Sequence, residues 1–282
     1  MKIKVTVDST NDLSPELMEK YDITAIPLTV NMGGRQYKDL VDVTPDDIYR
    51  HVDAGGDLPK TSAINADEYR ARFEELLKDY DAVIHINISS EMSACHQNAR
   101  LAAEGLPVYP IDSRNLSSGS GHLALIACEK AAEGMDAAAI ADYLNNNAAP
   151  RLDVSFLLSR LDYMHKGGRC SAVTLLGANV LRLRPCIEVR DGKMGVGKKY
   201  RGPFARCLEQ YVKDRLAGAE DIDPHRIFIT HSGVDPQLVE TVRKAVGQCQ
   251  NFEEVLETRA GCTVSSHCGD GCLGILYLHK EK

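Results

Sequence analysis

The sequence predicts an α/β protein in two parts: a doubly wound, mostly parallel first domain over residues 1–150, and a second α/β domain over residues 151–282 with a mixed or antiparallel sheet. Three observations carry this. The first half alternates short apolar runs with helical patterns at the spacing of βαβ units. In the second half Ile187-Glu188-Val189 and Met194-Gly195-Val196 flank Arg190-Asp191-Gly192-Lys193, and Asp-Gly between two short strands is a strong hairpin signal. The length of 282 residues exceeds one average domain, for which about 150 residues is the prior.

The elements follow in order. Ile3 to Val7 is a strand by alternation and β-branched content. Ser14-Pro15-Glu16 supplies an N-cap, a proline in the first turn and an acid, opening a helix that ends near Tyr21. Ile23 to Val30 reads as the next strand, and Thr44-Pro45-Asp46-Asp47 opens a second helix in the same way. Glu68 to Leu77 is helical, with Tyr69, Phe73, Leu76 and Leu77 on one face. Val83 to Ile88 is a buried-type strand, Ser93 to Glu104 a helix, and Val108 to Ile111 a strand. Helices over Gly121–Gly134 and Ala137–Ala149 close the first domain, with the boundary near Pro150. Beyond it, Val154–Leu158, Ile227–His231, Val255–Thr258 and Leu273–Leu278 read as strands, and Phe204–Arg215 and Pro236–Gln248 as helices.

Composition narrows the function classes. Apolar residues make up 44% and charged residues 26%, which excludes disordered and collagen-like chains. With 33 basic and 40 acidic side chains the net charge is −7, which argues against broad affinity for nucleic acid or anionic lipid. No run reaches the roughly 18 apolar residues of a membrane-spanning helix, so no stable membrane insertion is expected. Met1 to Asp12 lacks the cationic head and apolar core of a signal peptide. Nine scattered cysteines read as reduced thiols, and the expected location is the cytoplasm.

Three strands of the first domain end alike, at Asp8-Ser9, Ser89-Ser90 and Asp112-Ser113. Ligands of doubly wound sheets bind at the carboxyl ends of strands, and small hydroxyls there suit an anionic or carbonyl-bearing ligand. The same residues also serve as helix caps. Lys60-Thr61-Ser62 and Ser89-Ser90-Glu91-Met92-Ser93 place further hydroxyls at loop-to-helix junctions, and a helix starting near Ser93 would offer amides and a positive dipole end to a carboxylate or phosphate. Gly167-Gly168-Arg169 reads as a tight turn presenting an arginine. Gly269, Gly271 and Gly274 have dinucleotide-loop spacing but precede a terminal strand with no helix after it. Cys262, His267, Cys268 and Cys272 do not match a zinc ribbon, so no metal is expected. Ser93 with His267 permits a Ser–His acyl hydrolase, although no G-x-S-x-G elbow surrounds any serine.

Asp8-Ser9, Lys60-Thr61-Ser62, Ser89-Ser90-x-x-Ser93, Asp112-Ser113, Lys166-Gly167-Gly168-Arg169 and Ser266-His267-x-Gly269-x-Gly271 together resemble, in order and spacing, the motifs of the DegV family. The resemblance spans nearly the whole chain. It implies a protein that binds a long-chain fatty acid between its two domains. In some bacteria such a protein is the binding subunit of a fatty acid kinase and presents the acyl carboxylate to a separate ATP-using subunit. By the resemblance, Thr61 and Ser93 hold the carboxylate, with Ser62 beside Thr61 and His267 next to the head group, and Arg169 suits contact with the kinase subunit. Ala94, Ile64 and Asp270 depart from the family pattern, and Ala94 and Ile64 bear on acyl-chain preference. No phosphate-binding loop or kinase signature occurs, so no cofactor is expected and ATP chemistry would come from the partner. The alternative is a stand-alone acyl hydrolase using Ser93 and His267.

Overall fold

The computed structural model describes residues 1–174 and 183–281. The first half contributes strands β1 (Ile3–Asp8), β2 (Thr24–Ile26), β3 (Thr29–Met32), β4 (Arg35–Lys38), β5 (Lys60–Ser62), β6 (Ala82–Asn87) and β7 (Val108–Asp112). The second contributes β8 (Leu152–Leu157), β9 (Leu183–Arg190), β10 (Lys193–Arg201), β11 (Ile222–His231), β12 (Glu254–Arg259) and β13 (Leu273–His279). They form an all-parallel sheet in the order β2-β1-β6-β7, a mixed sheet in the order β10-β9-β8-β13-β11-β12, and a small antiparallel sheet β4-β3-β5. In the mixed sheet only β11 and β12 run parallel. The predicted fold class is therefore the one observed, two α/β domains of these two sheet types.

Local chemistry accounts for the elements. Ser14 caps helix Pro15–Lys20 by accepting from the Leu17 amide, and Thr44 with Asp47 forms a full capping box on helix Pro45–Asp53. The β9–β10 hairpin turns through Asp191 at φ +50° and Gly192 at φ +80°, the positive angles that an Asp-Gly turn supplies. One predicted strand is wrong. Ile23 to Val30 is two strands in two sheets, because Pro27 has no amide to donate and breaks the run between β2 and β3.

Helix Ser118–Ala132 joins the domains. It packs on β1 and β6 of one sheet and on β8 and β13 of the other, and most of its first ten residues are buried. A helix buried on all sides needs small residues where two layers press in. A Cβ on Gly119 would stand 2.8 Å from Val154 Cγ2, and one on Gly121 would stand 2.7 Å from Leu13 Cδ2. One hydrophobic cluster accordingly runs from Val5 and Ile86 through Leu123 to Phe228 and Leu276, and a second, with Tyr211, Ile229 and Val242, lies within the second domain.

Candidate functional site

The second domain sends helix Cys262–Cys268 into the first. Its three leading amides donate to two buried carboxylates of the first domain: Gly261 N to Asp12 Oδ1 at 2.8 Å, Cys262 N to Asp39 Oδ1 at 2.9 Å and Thr263 N to Asp39 Oδ2 at 3.0 Å. These are the orphan donors of a helix start, and the negative charge lies at the positive end of the dipole. Ser9 Oγ also donates to Asp39, and Ser117 Oγ to Asp12. Burial, partly offset by these hydrogen bonds, raises the Asp12 carboxyl to about 7.

The far end of that helix carries His267. Its Nε2 lies 2.9 Å from Thr61 Oγ1 on β5, across the domain boundary, and its Nδ1 is buried without a partner among the described residues. Burial, with the Arg169 charge second, lowers the imidazole pKa to about 4, so it is neutral at neutral pH. A buried N–H without an acceptor is rarer than a bare lone pair, which assigns the proton to Nε2 from the hydrogen-bond pattern. His267 then donates to Thr61 and leaves the threonine hydroxyl proton free for a ligand.

Thr61, His267, Ser93 and Arg169 all line one cavity of about 260 Å³. The remaining wall is largely apolar and includes Leu28, Ile88, Leu116, Met164, Met194 and Val264. Behind it lies a second, apolar space of about 30 Å³ between Val154, Phe156, Cys272 and Leu276. Leu116, Val264 and Cys268 border both and form the neck between them. The arrangement is a small polar cluster in a largely apolar cavity, with a further apolar space beside it.

Ser62 is not in this group. Thr61 and Ser62 are consecutive on a strand rather than at a loop-to-helix junction, so they face opposite sides, and the Ser62 hydroxyl accepts from Asn31 Nδ2 at 3.0 Å. Helix Cys95–Ala103 begins two residues later than predicted and has no side-chain cap; Ser93 Oγ accepts from Cys95 N instead. Arg169 is exposed at the mouth, its Nη1 donating to Gly167 O at 2.8 Å, after Gly168 at φ +70°. The strand-end residues are structural. Asp8 is buried and binds Tyr69, His85, Asn87 and Ile88 N, Ser89 Oγ holds Gly192 O at 2.7 Å, and Ser90 pairs with Asp112.

What the sequence did not reveal is the pair Asp12 and Asp39, which seat the histidine helix, and the packing of Gly167 against His267. A Cβ on Gly167 would stand 2.6 Å from His267 Nδ1. Gly167→Ala should therefore push the imidazole off Thr61 and weaken ligand binding with the fold retained. Comparing thermal melting with ligand titration checks this.

These features define a two-domain α/β protein with a largely apolar cavity, lined by hydroxyls and a histidine, where the domains meet. A family model for the DegV family, described as uncharacterised proteins, matches residues 2–280. The chain belongs to the DegV family. It is 32% identical over 284 residues to a DegV domain-containing protein of Clostridium acetobutylicum, covering 99% of each chain. It is 29% identical to a fatty acid-binding protein of Thermotoga maritima, covering 97% of this chain and 96% of that one. A solved fatty-acid-binding DegV family protein from Thermus thermophilus superposes with a TM-score of 0.91 at 27% identity, covering 99% of this chain and 100% of the other. Among the described residues no helix is long and apolar enough to cross a membrane.

Proposed function

We propose that this protein binds a long-chain fatty acid, with its carboxylate at Thr61, Ser93 and His267 and its tail through the neck towards Phe156 and Leu276. The observation that carries the reading is one cavity in which neutral donors share the wall with apolar side chains, next to a second apolar space. Neutral hydroxyls orient a carboxylate without a buried fixed cation, whose desolvation is costly. Each buried methylene adds about 0.8 kcal/mol, so the tail supplies most of the affinity. The fatty-acid-binding relatives from Thermotoga maritima and Thermus thermophilus support this assignment. Native mass spectrometry of the purified protein should reveal a copurified long-chain acid. Absence of lipid together with no uptake of added palmitate or oleate would overturn the reading.

Thr61→Ala and Ser93→Ala each remove one hydrogen bond to a charged acceptor, worth about 1.5–3 kcal/mol. Each should weaken palmitate binding by about tenfold or more. Unchanged affinity in both variants would place the head group elsewhere. The hydrolase reading gains no support from the geometry: Ser93 Oγ bonds Cys95 and not His267, and His267 Nδ1 has no acid behind it among the described residues.

The bound carboxylate is presented to a separate ATP-using kinase subunit. Arg169 supports this: it is exposed at the mouth, and its planar fork of donors matches a carboxylate or phosphate of a partner. Arg169→Ala should spare fatty acid binding and cut acyl-phosphate formation in a reconstituted system, with Arg169→Lys restoring it only in part. Normal phosphorylation by the kinase with Arg169→Ala would remove the partner contact.

A further inference from the structure

The segment Cys268-Gly269-Asp270-Gly271-Cys272 plays no part in holding a carboxylate, yet both of its cysteines line the inner apolar space. Gly269 at φ +71° and Gly271 at φ +73° reverse the chain after helix Cys262–Cys268. Ser232 fixes the reversal: its hydroxyl accepts from Cys272 N at 3.0 Å and donates to Gly269 O. Both side chains line the same small inner space, and the Cys268 thiol is the leading cause of a Cys272 pKa well above the ordinary thiol range, with burial second. Their positions differ usefully, since Cys268 borders the outer and inner spaces while Cys272 borders only the inner one.

We infer that Cys268 and Cys272 form a dithiol that reduces a hydroperoxide carried on an acyl chain in the tunnel, ending as a reversible disulfide at the neck. The substrate class follows from access. The two residues are 4% and 7% exposed, so an oxidant reaches them through the cavity, and that cavity suits an acyl chain with its carboxylate held at Thr61. Buried thiols react slowly with peroxide from bulk water, and confinement beside the O–O bond raises the effective concentration. In the first step the Cys268 sulfur attacks the distal peroxide oxygen, the O–O bond breaks, and the acyl alcohol leaves with the thiol proton, giving Cys268 sulfenic acid. In the second step the Cys272 sulfur displaces water from that sulfenic acid and the S–S bond forms. One hydroperoxide is reduced to a hydroxy acid and water while two thiols are oxidised. This rests on the acyl-binding reading above.

The test exposes the reduced full-length protein to linoleic acid hydroperoxide and, separately, to hydrogen peroxide. The expected result with the acyl hydroperoxide is loss of two hydrogens from the intact mass, mapped to Cys268–Cys272, one hydroxy acid per chain, and reversal by dithiothreitol. Saturating stearate, which occupies the same route, should slow this reaction. Cys272→Ser should stop at a Cys268 sulfenic acid trapped by dimedone, and Cys268→Ser should give neither product. A disulfide from Cys268 to any other cysteine, or no oxidation in a protein that binds stearate normally, overturns the dithiol. Equal rates with the two peroxides, unaffected by stearate, overturn the acyl substrate. A chain that takes up no stearate fails at the earlier reading instead.

Discussion

Phe228→Ala should lower the unfolding free energy by about 3–5 kcal/mol, the usual cost of emptying a fully buried aromatic site. Phe228 is 0% exposed on β11, yet it belongs to the core shared by both domains. Its ring meets the edge of His122 from helix Ser118–Ala132, with centroids 4.7 Å apart and planes at 79°. His122 Nε2 in turn lies 3.2 Å from Leu276 O on β13. Burial lowers the His122 pKa to about 3, so this imidazole is neutral and its contact is one of packing and hydrogen bonding. Removing the phenyl ring leaves a cavity against a helix that both sheets press on. Denaturant unfolding should show a single weakened transition. Two transitions, with the first domain unaffected, would contradict a continuous core.

Asp12→Asn should stabilise the protein above neutral pH by up to about 4 kcal/mol, and by little near pH 4. The native carboxyl titrates at about 7 against an ordinary value of 3.8, a gap of about three pH units. Each unit corresponds to about 1.4 kcal/mol. Between those values the native state holds a proton that the unfolded state has released, so this group's contribution falls as pH rises through the window. Burial is the main cause, and the neighbouring Asp39 carboxylate adds to it. Asparagine is the neutral shape of the same group: its oxygen accepts from Gly261 N and its amide donates to Ser117 Oγ. The variant-minus-parent difference should therefore grow from about pH 4 to 7 and then level off. A difference independent of pH would show that Asp12 is ionised in the native state throughout.

The sequence showed the strands and helices that carry their own local signals, such as the Ser14 and Thr44 caps, the Asp191-Gly192 turn and the apolar run Ala82–Asn87. It hid elements that depend on distant partners. Helix Cys262–Cys268 has seven residues, mostly Ser, Thr, Cys and Val, and owes its start to Asp12 and Asp39, which lie more than 200 positions away. The three-residue strand β5 exists only because β3 pairs with it, and without knowing it as a strand Thr61 and Ser62 look equivalent.

The site was legible in part. Thr61 and His267 meet across 206 positions, and neither residue carries a local signal of that contact. The set of Thr61, Ser93, His267 and Arg169 came from the resemblance to the DegV family, and one cavity holds all four. Serines at strand ends that looked as suited to a ligand instead cap and fasten the chain, because a buried hydroxyl finds its nearest backbone partner first.

The central claim is that one tunnel holds a fatty acid with its head at Thr61 and its tail beyond the neck. A crystal structure with a fatty acid brominated at its terminal carbon tests it most directly. The account predicts a carboxylate within hydrogen-bond distance of Thr61 Oγ1 and Ser93 Oγ, and an anomalous bromine peak among Val154, Phe156 and Leu276. A bromine peak at the mouth beside Arg169, or an acid bound outside the tunnel, would contradict it.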